Sequence, residues 1–151
     1  MKILMVCLGN ICRSPLAEGI LKGMIKENNL DWTVDSAGTG SWHVGDLPDP
    51  RSVAVAKTHG LDINSQRGRQ IKPKDLENFD LIFAMDSTNY QNILKLTSSD
   101  ALNDKVQLIM NMAKPGFNQN VPDPYYGDDG FESVYQMLHH ACKAIIEKYG
   151  N

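Results

Sequence analysis

The chain has 151 residues, and its 18 acidic and 15 basic side chains leave a net charge of −3. Hydrophobic residues at 42%, charged at 22% and aromatic at 7% are globular proportions, which exclude a disordered chain, a coiled coil or a collagen-like rod. No apolar run approaches the roughly 20 residues of a membrane helix, and a pI near 5.7 gives no bulk attraction for nucleic acid or an anionic membrane.

Lys2–Cys7 is a nearly continuous apolar run, as expected of a parallel strand buried on both faces. Ser14-Pro15 predicts an N-cap and a first helical proline, and Leu16, Ile20 and Met24 carry that helix to about Asn28. Trp32–Ser36 reads as a second strand, ended by Ala37-Gly38-Thr39-Gly40. Pro48-Asp49-Pro50 leads into a helix through Val53, Ala56 and Lys57, stopped by Gly60. Leu81–Met85 and Val106–Met110 read as strands, with a helix over Thr88–Leu96 between them. Phe131, Val134, Tyr135, Leu138, Cys142, Ile145, Ile146 and Tyr149 mark a long amphipathic last helix. There is no repeat or linker, so one domain over 1–151 is expected. Strands alternating with helices predict an α/β sandwich around a mostly parallel sheet, whose ligands sit beyond the carboxyl ends of its strands.

The residues just beyond the first strand are Cys7-Leu8-Gly9-Asn10-Ile11-Cys12-Arg13-Ser14. A cysteine and an arginine six apart form a weak pattern alone; the context supplies the argument. Five residues between a strand and a helix can curl so that their backbone N–H groups point inward. Gly9 and Asn10 tolerate the left-handed angles such a curl needs. The helix N-terminus adds the positive end of its dipole, completing an anion cradle. Arg13 can grip two oxygens of a tetrahedral anion in a bidentate fork. The same field favours the thiolate of Cys7, a nucleophile beneath the bound phosphorus. Ser14 has two plausible tasks, capping the helix and donating a hydrogen bond to the departing thiolate. A phosphocysteine reaction also needs an acid for the leaving oxygen. Asp123, stiffened by Pro122 and Pro124, is the candidate; Asp128 and Asp129 are rivals that more simply cap the last helix. Ile11 adds an apolar side chain within the loop.

From Lys2 to Tyr149 the sequence resembles the low molecular weight protein tyrosine phosphatases. The resemblance rests on Val6-Cys7-Leu8-Gly9-Asn10-Ile11-Cys12-Arg13-Ser14-Pro15, on Ala17-Glu18, and on Asp123-Pro124-Tyr125-Tyr126-Gly127. Asp35-Ser36-Ala37-Gly38-Thr39, Arg69-Gln70 and Met85-Asp86 add weaker support. It implies a three-layer α/β fold, with a four-stranded parallel sheet flanked by helices and a phosphate loop between the first strand and first helix. It implies protein-tyrosine-phosphatase activity with Cys7 as nucleophile, Arg13 as phosphate binder and Asp123 as general acid and then base. Leu8, Gly9, Asn10, Ile11, Cys12 and Ser14 would surround the phosphate, with Asn10, Ser14 and Ser36 bracing the loop. Cys12 is implied as the partner in reversible oxidation. Trp42 and Tyr125 would wall the cleft, with Tyr126 beside them. Neither metal nor cofactor is implied. The expected partners are phosphotyrosine proteins, with inorganic phosphate as product and neither nucleic acid nor membrane; the expected state is a monomer or weak dimer.

One segment departs from the family pattern. Many members carry Ser-x-His-x-Ala-Arg-Gln where this chain has Asn64-Ser65-Gln66-Arg67-Gly68-Arg69-Gln70, with Asn64, Gln66 and Gly68 in place of the serine, histidine and alanine. Gln66 can hydrogen-bond in place of the histidine but cannot titrate. An arsenate reductase of this fold would need a further late cysteine pair, and only Cys142 is available. A phosphoarginine phosphatase resembles threonine at the position of Ile11. A non-catalytic phosphopeptide binder would have no use for Asp123. Gly38-Thr39-Gly40 does not complete a dinucleotide fingerprint, His139 and His140 point to different sides of a helix, and His59 reads as a helix C-terminal cation. Lys72 and Lys74 read as solvated surface, and the methionines as core filler. The N-terminus lacks a secretory pattern, and three cysteines read as reduced cytoplasmic thiols.

Overall fold

A computed structural model describes residues 1–126 and 130–150, except the side chain of Tyr126. Four strands, β1 (Lys2–Cys7), β2 (Thr33–Gly38), β3 (Leu81–Ala84) and β4 (Val106–Leu108), form one parallel sheet in the order β2-β1-β3-β4. The helices are α1 (Arg13–Glu27), α2 (Pro50–Thr58), α3 (Pro73–Asn78), α4 (Ser87–Leu94), α5 (Asp100–Asn103), α6 (Met110–Ala113) and α7 (Gly130–Tyr149), with a 3-10 turn at Pro124–Tyr126.

Alternation along β1 divides the core. Ile3, Met5 and Cys7 pack with Leu16, Ile20, Leu138 and Cys142 of α1 and α7. Leu4 and Val6 face the other way, toward Leu76 of α3 and Ile93 of α4. This explains the unbroken apolar run: both faces of the central strand are covered. The chain passes from β1 to β2 on one side, then to β3 on the other, so the strand order reverses at β1. The crevice beyond Cys7 is therefore the ligand position of an open parallel sheet.

Several boundaries differ from expectation. Ser14 is not the N-cap of α1; the cap position is Cys12, without a side-chain cap bond, and the helix begins at Arg13. The hydroxyl of Ser14 is engaged elsewhere, as described below. β2 continues through Ala37 and Gly38, because these pair with Val6 and Cys7. β3 stops at Ala84 and β4 at Leu108, with Ile109-Met110 turning into α6, since a short apolar run has no periodicity to separate strand from helix. α3, α5 and α6, each six residues or fewer, were not expected from the pattern. Asp49 caps α2 by accepting the Arg51 N–H, with Pro50 at the first helical position. His59 does stand at the C-cap of α2; it lies 2.8 Å from Glu132 and stacks on Tyr135. Asp128 and Asp129 lie outside the described residues.

Gly38 is where the sheet meets the phosphate loop. A Cβ there would lie 2.7 Å from the Leu8 carbonyl oxygen and 3.1 Å from the Asn10 nitrogen, both backbone atoms. Gly38→Ala should therefore destabilise the protein by about 1–3 kcal/mol, as overpacking does. Gly23→Ala, in α1, places its Cβ 3.4 Å from Leu61 Cδ2, an ordinary contact. It should stabilise by about 0.5–1 kcal/mol through helix propensity. Urea midpoints that move the same way for both variants would refute this contrast.

Candidate functional site

The curl after β1 is built by outward-pointing carbonyls. Those of Cys7 and Leu8 accept the N–H groups of Thr39 and Gly40, that of Ile11 accepts Asp49 N–H, and that of Cys12 accepts the Ser52 hydroxyl. In a planar trans peptide the following N–H points opposite to the C=O. The amides of Leu8, Gly9, Cys12 and Arg13 are thereby turned to the inside, where α1 begins with its positive dipole end.

Asn10 makes the curl possible. It alone within the loop has a left-handed backbone, with φ of 59°. Gly9, expected to share that role, does not. Its lack of a Cβ instead admits the His43 ring, whose Cδ2 would stand 3.0 Å from such an atom. The Asn10 side chain Oδ1 accepts the Arg69 backbone N–H at 3.0 Å, which fixes the amide orientation, since an N–H can only donate. Nδ2 then donates to Ser14 Oγ at 2.8 Å and to Ser36 Oγ at 2.9 Å. Ser14 accepts from Asn10, so its own proton is available to Cys7 Sγ, 3.0 Å away. Ser36 donates onward to Glu18 at 2.7 Å. Arg69 is held by Asp35 and by a two-pronged bond to Asp75. Gln66 does not reach Asn10: its Nε2 donates to the Pro15 carbonyl, and its buried Oε1 has no hydrogen-bond partner among the described residues.

Arg13 is buried. Its Nη1 donates to Asp86 at 2.7 Å and to the Val121 carbonyl at 2.9 Å. Among the described residues the Nε–Nη2 edge carries no protein hydrogen bond; the Asp123 carboxylate is 3.8 Å from Nη2. That edge can fork onto two oxygens of an anion. Burial works against the Arg13 charge, but Cys7, Asp86 and Asp123 outweigh it and raise its pKa above the usual value. The Val121 N–H donates to the Met85 carbonyl, so the segment leading to Asp123 is pinned beside the end of β3. Asp123 Oδ1 accepts the Tyr125 N–H at 3.0 Å.

Cys7, Leu8, Gly9, Ile11, Cys12, Arg13, Trp42, His43, Asp123 and Tyr125 line one cleft of about 280 Å³. Trp42 stands at its mouth, 71% exposed. The side chains of Asn10, Ser14 and Ser36 are buried and brace the loop rather than line the cleft. The Tyr126 side chain lies outside the described residues. His43, Asp86 and Glu18 belong to the site without having been given a role in it, although Glu18 and Asp86 stand in motifs that carry the resemblance. Asp86 was findable as a carboxyl between a strand and a helix, the position of an N-cap, which it fills by accepting Asn89 N–H. His43 had no such signal. Burial raises the Cys12 thiol pKa, as do the charges of Asp49, Cys7 and Asp123. Cys142 is fully buried in α7, and burial raises its pKa as well. Among the described residues no three potential ligands cluster as a metal site, and no helix is long and apolar enough to cross a membrane.

The family profile described as low molecular weight phosphotyrosine protein phosphatase matches residues 2–150. The low molecular weight phosphotyrosine protein phosphatase of Schizosaccharomyces pombe is 44% identical over 141 residues, 91% of this chain and 89% of its own length. The protein tyrosine phosphatase of Entamoeba histolytica superposes with a TM-score of 0.93 at 39% identity, over 99% of this chain and 97% of that one. The arginine phosphatase of Drosophila superposes with a TM-score of 0.92 at 37% identity, over 100% and 99%. The chain thus belongs to the low molecular weight phosphotyrosine protein phosphatase family, and its four-stranded parallel α/β fold is the fold of these relatives.

Glu18 gives the brace a pH signature. Burial raises its pKa above the ordinary glutamate value of about 4.3, with the Ser36 hydrogen bond and the Lys22 charge only partly opposing. A carboxyl with a raised folded pKa binds its proton more tightly when folded. Stability is therefore lost as pH rises from the ordinary value through the raised one. Glu18→Gln keeps an acceptor for Ser36 and removes this loss. The variant should gain stability relative to the parent as pH rises from 4 toward 8. Urea unfolding that shows a pH-independent difference would contradict the assignment.

Proposed function

We propose that the protein hydrolyses phosphotyrosine in proteins by two displacements through a phosphocysteine on Cys7. The observation that carries this reading is one cleft lined by a nucleophile, an amide cradle with a forked arginine, and a carboxyl. In the first step the Cys7 thiolate attacks phosphorus, and the bond to the tyrosine oxygen breaks. Arg13 grips two phosphoryl oxygens through its Nε–Nη2 edge. The inward amides spread the remaining charge, the electrostatic service metal ions supply elsewhere. With Asp123 Oδ1 engaged by the Tyr125 N–H, its proton sits on Oδ2 and passes to the leaving tyrosine oxygen. In the second step the Asp123 carboxylate takes a proton from water, whose oxygen attacks phosphorus. The phosphorus–sulfur bond breaks, and the Ser14 hydroxyl stabilises the released thiolate. Cys7→Ser should abolish turnover while retaining phosphate binding, measured by calorimetry. Asp123→Ala should slow phosphotyrosine hydrolysis by about 10²–10⁴-fold, the usual loss for a missing general acid. A variant at Asp123 with parental turnover would mean the acid lies elsewhere.

Phosphotyrosine suits the cleft by length and shape. A phosphoserine side chain is short, and walls such as Trp42 and Tyr125 hold its backbone away from Cys7. A tyrosine ring spans that depth and can stack between them. The likeness to an arginine phosphatase makes phosphoarginine the specific rival, because one fold hosts both activities. Ile11 decides between them. Its apolar side chain lines the cleft where the phosphoarginine branch resembles threonine, so no hydroxyl is present to orient a guanidinium. In matched peptides, kcat/KM should be far higher for phosphotyrosine than for phosphoserine or phosphoarginine, and Ile11→Thr should admit some phosphoarginine. Parental preference for phosphoarginine would reverse the assignment.

Peroxide chemistry fits the same cleft, which Cys7 and Cys12 both line. Peroxide converts the Cys7 thiolate to sulfenic acid with release of hydroxide. Cys12 then displaces water to close a disulfide. The raised pKa of Cys12 keeps it a thiol until that step. Peroxide should inactivate, thiol reductant should restore, and Cys12→Ser should lose much of the recovery. Finding Cys142 in the disulfide by mass spectrometry would remove Cys12 from this role. The odd count of cysteines supports a reducing, cytoplasmic setting.

A further inference from the structure

The phosphate loop and the segment carrying Asp123 come from opposite ends of the chain. They must nevertheless be held within one reaction distance. Arg13 reaches across to the Val121 carbonyl, and a second side chain, outside the cleft, also joins them. The Asp49 N–H donates to the carbonyl of Ile11, inside the phosphate loop. The Asp49 carboxylate, buried, takes two hydrogen bonds from the Arg51 guanidinium, Nε to Oδ1 at 3.1 Å and Nη2 to Oδ2 at 3.0 Å. The same Nη2 donates to the Tyr125 carbonyl at 3.0 Å. The N–H of that same residue, Tyr125, orients the Asp123 carboxyl. The guanidinium also lies 4.7 Å from the Phe131 ring centroid and 5.6 Å from that of Tyr125, so apolar faces fix its plane.

We infer that Arg51 is a positioning residue that ties the Asp123 segment to the phosphate loop and so aims the general acid at the leaving oxygen. The inference rests on the reading of Asp123 as that acid. Arg51 is not among the residues lining the cleft, so its influence is transmitted through Asp49 and Tyr125. A planar fork is needed for this work. It must meet two carboxylate oxygens and a carbonyl at once, which a lysine ammonium cannot do in one plane.

General acid catalysis matters most when the leaving oxygen is basic. Tyrosine, with a pKa of about 10, needs a proton as it departs; a dinitrophenolate does not. The experiment measures kcat/KM for a series of aryl phosphates, from phosphotyrosine to the dinitrophenyl ester, in the parent, Arg51→Lys, Arg51→Met, Asp123→Ala and Arg51→Met/Asp123→Ala. The Arg51 variants should lose about tenfold or more on phosphotyrosine, a part of the 10²–10⁴ that general acids supply. On the dinitrophenyl ester they should lose much less. The double variant should match Asp123→Ala alone, because residues that act as one unit are not additive. Inhibition by inorganic phosphate should be unchanged, which separates a misaimed acid from a damaged phosphate loop. Equal losses across the series, or additive losses in the double variant, would overturn the role of Arg51 while leaving Asp123 as the acid. A leaving-group-independent loss in Asp123→Ala would remove both readings together. Arg51→Lys keeps the charge and the stem. If Arg51→Met unfolds, Arg51→Lys carries the same comparison.

Discussion

The site depends on the left-handed turn at Asn10. A non-glycine residue in that conformation costs about 1–2 kcal/mol. It persists because the side chain of the same residue is bonded three times, to Ser14 on α1, Ser36 on β2 and the backbone of Arg69. Leaving any one of these buried partners unsatisfied would cost about 1–3 kcal/mol, so the turn is over-determined. The residue that strains the backbone also supplies the bonds that hold it. The inward amides follow, because the outer carbonyls of Cys7, Leu8, Ile11 and Cys12 are each taken by a neighbouring element.

Electrostatics then divides the work around Arg13. A buried guanidinium needs compensation, and Asp86 and the Val121 carbonyl provide it on one side. That leaves one edge for the anion while the guanidinium charge stays compensated. Asp86 serves twice, since its other oxygen caps α4. Asp49 likewise caps α2 while gripping Arg51. Burial works against the charge of Asp49, yet the hydrogen bonds and charge of Arg51 lower its pKa overall, so it remains an anion for the arginine to hold.

His43 meets the phosphate loop through a close approach at Gly68. A Cβ at Gly68 would lie only 2.1 Å from the His43 carbonyl oxygen, so the glycine admits the loop that lays the His43 ring on Gly9. The same segment carries Gln66, which bonds the Pro15 carbonyl, so that among the described residues the Asn10 side chain is held by Arg69 and the two serines.

The sequence by itself determined the alternating architecture, the buried central strand and the loop Cys7–Arg13, because these are local: a two-faced apolar run, a strand followed at once by a helix, and residue types that fit a curl. It left Ser14 two tasks, because a hydroxyl offers the same chemistry to a backbone N–H and to a cysteine sulfur; the path of the loop rules out the cap and selects the sulfur. Likewise Gly9 and Asn10 looked equivalent until the fold placed a histidine against one and three partners around the other. What the tertiary structure alone decided are the pairings across long separations: Arg13 with Asp86, Asn10 with Ser36 and Arg69, Arg51 with Tyr125. Charged and polar side chains carry no periodicity that names their partner. Which ones meet is set by how the hydrophobic faces of the sheet and helices stack, and only then does hydrogen-bond geometry choose among those brought within reach.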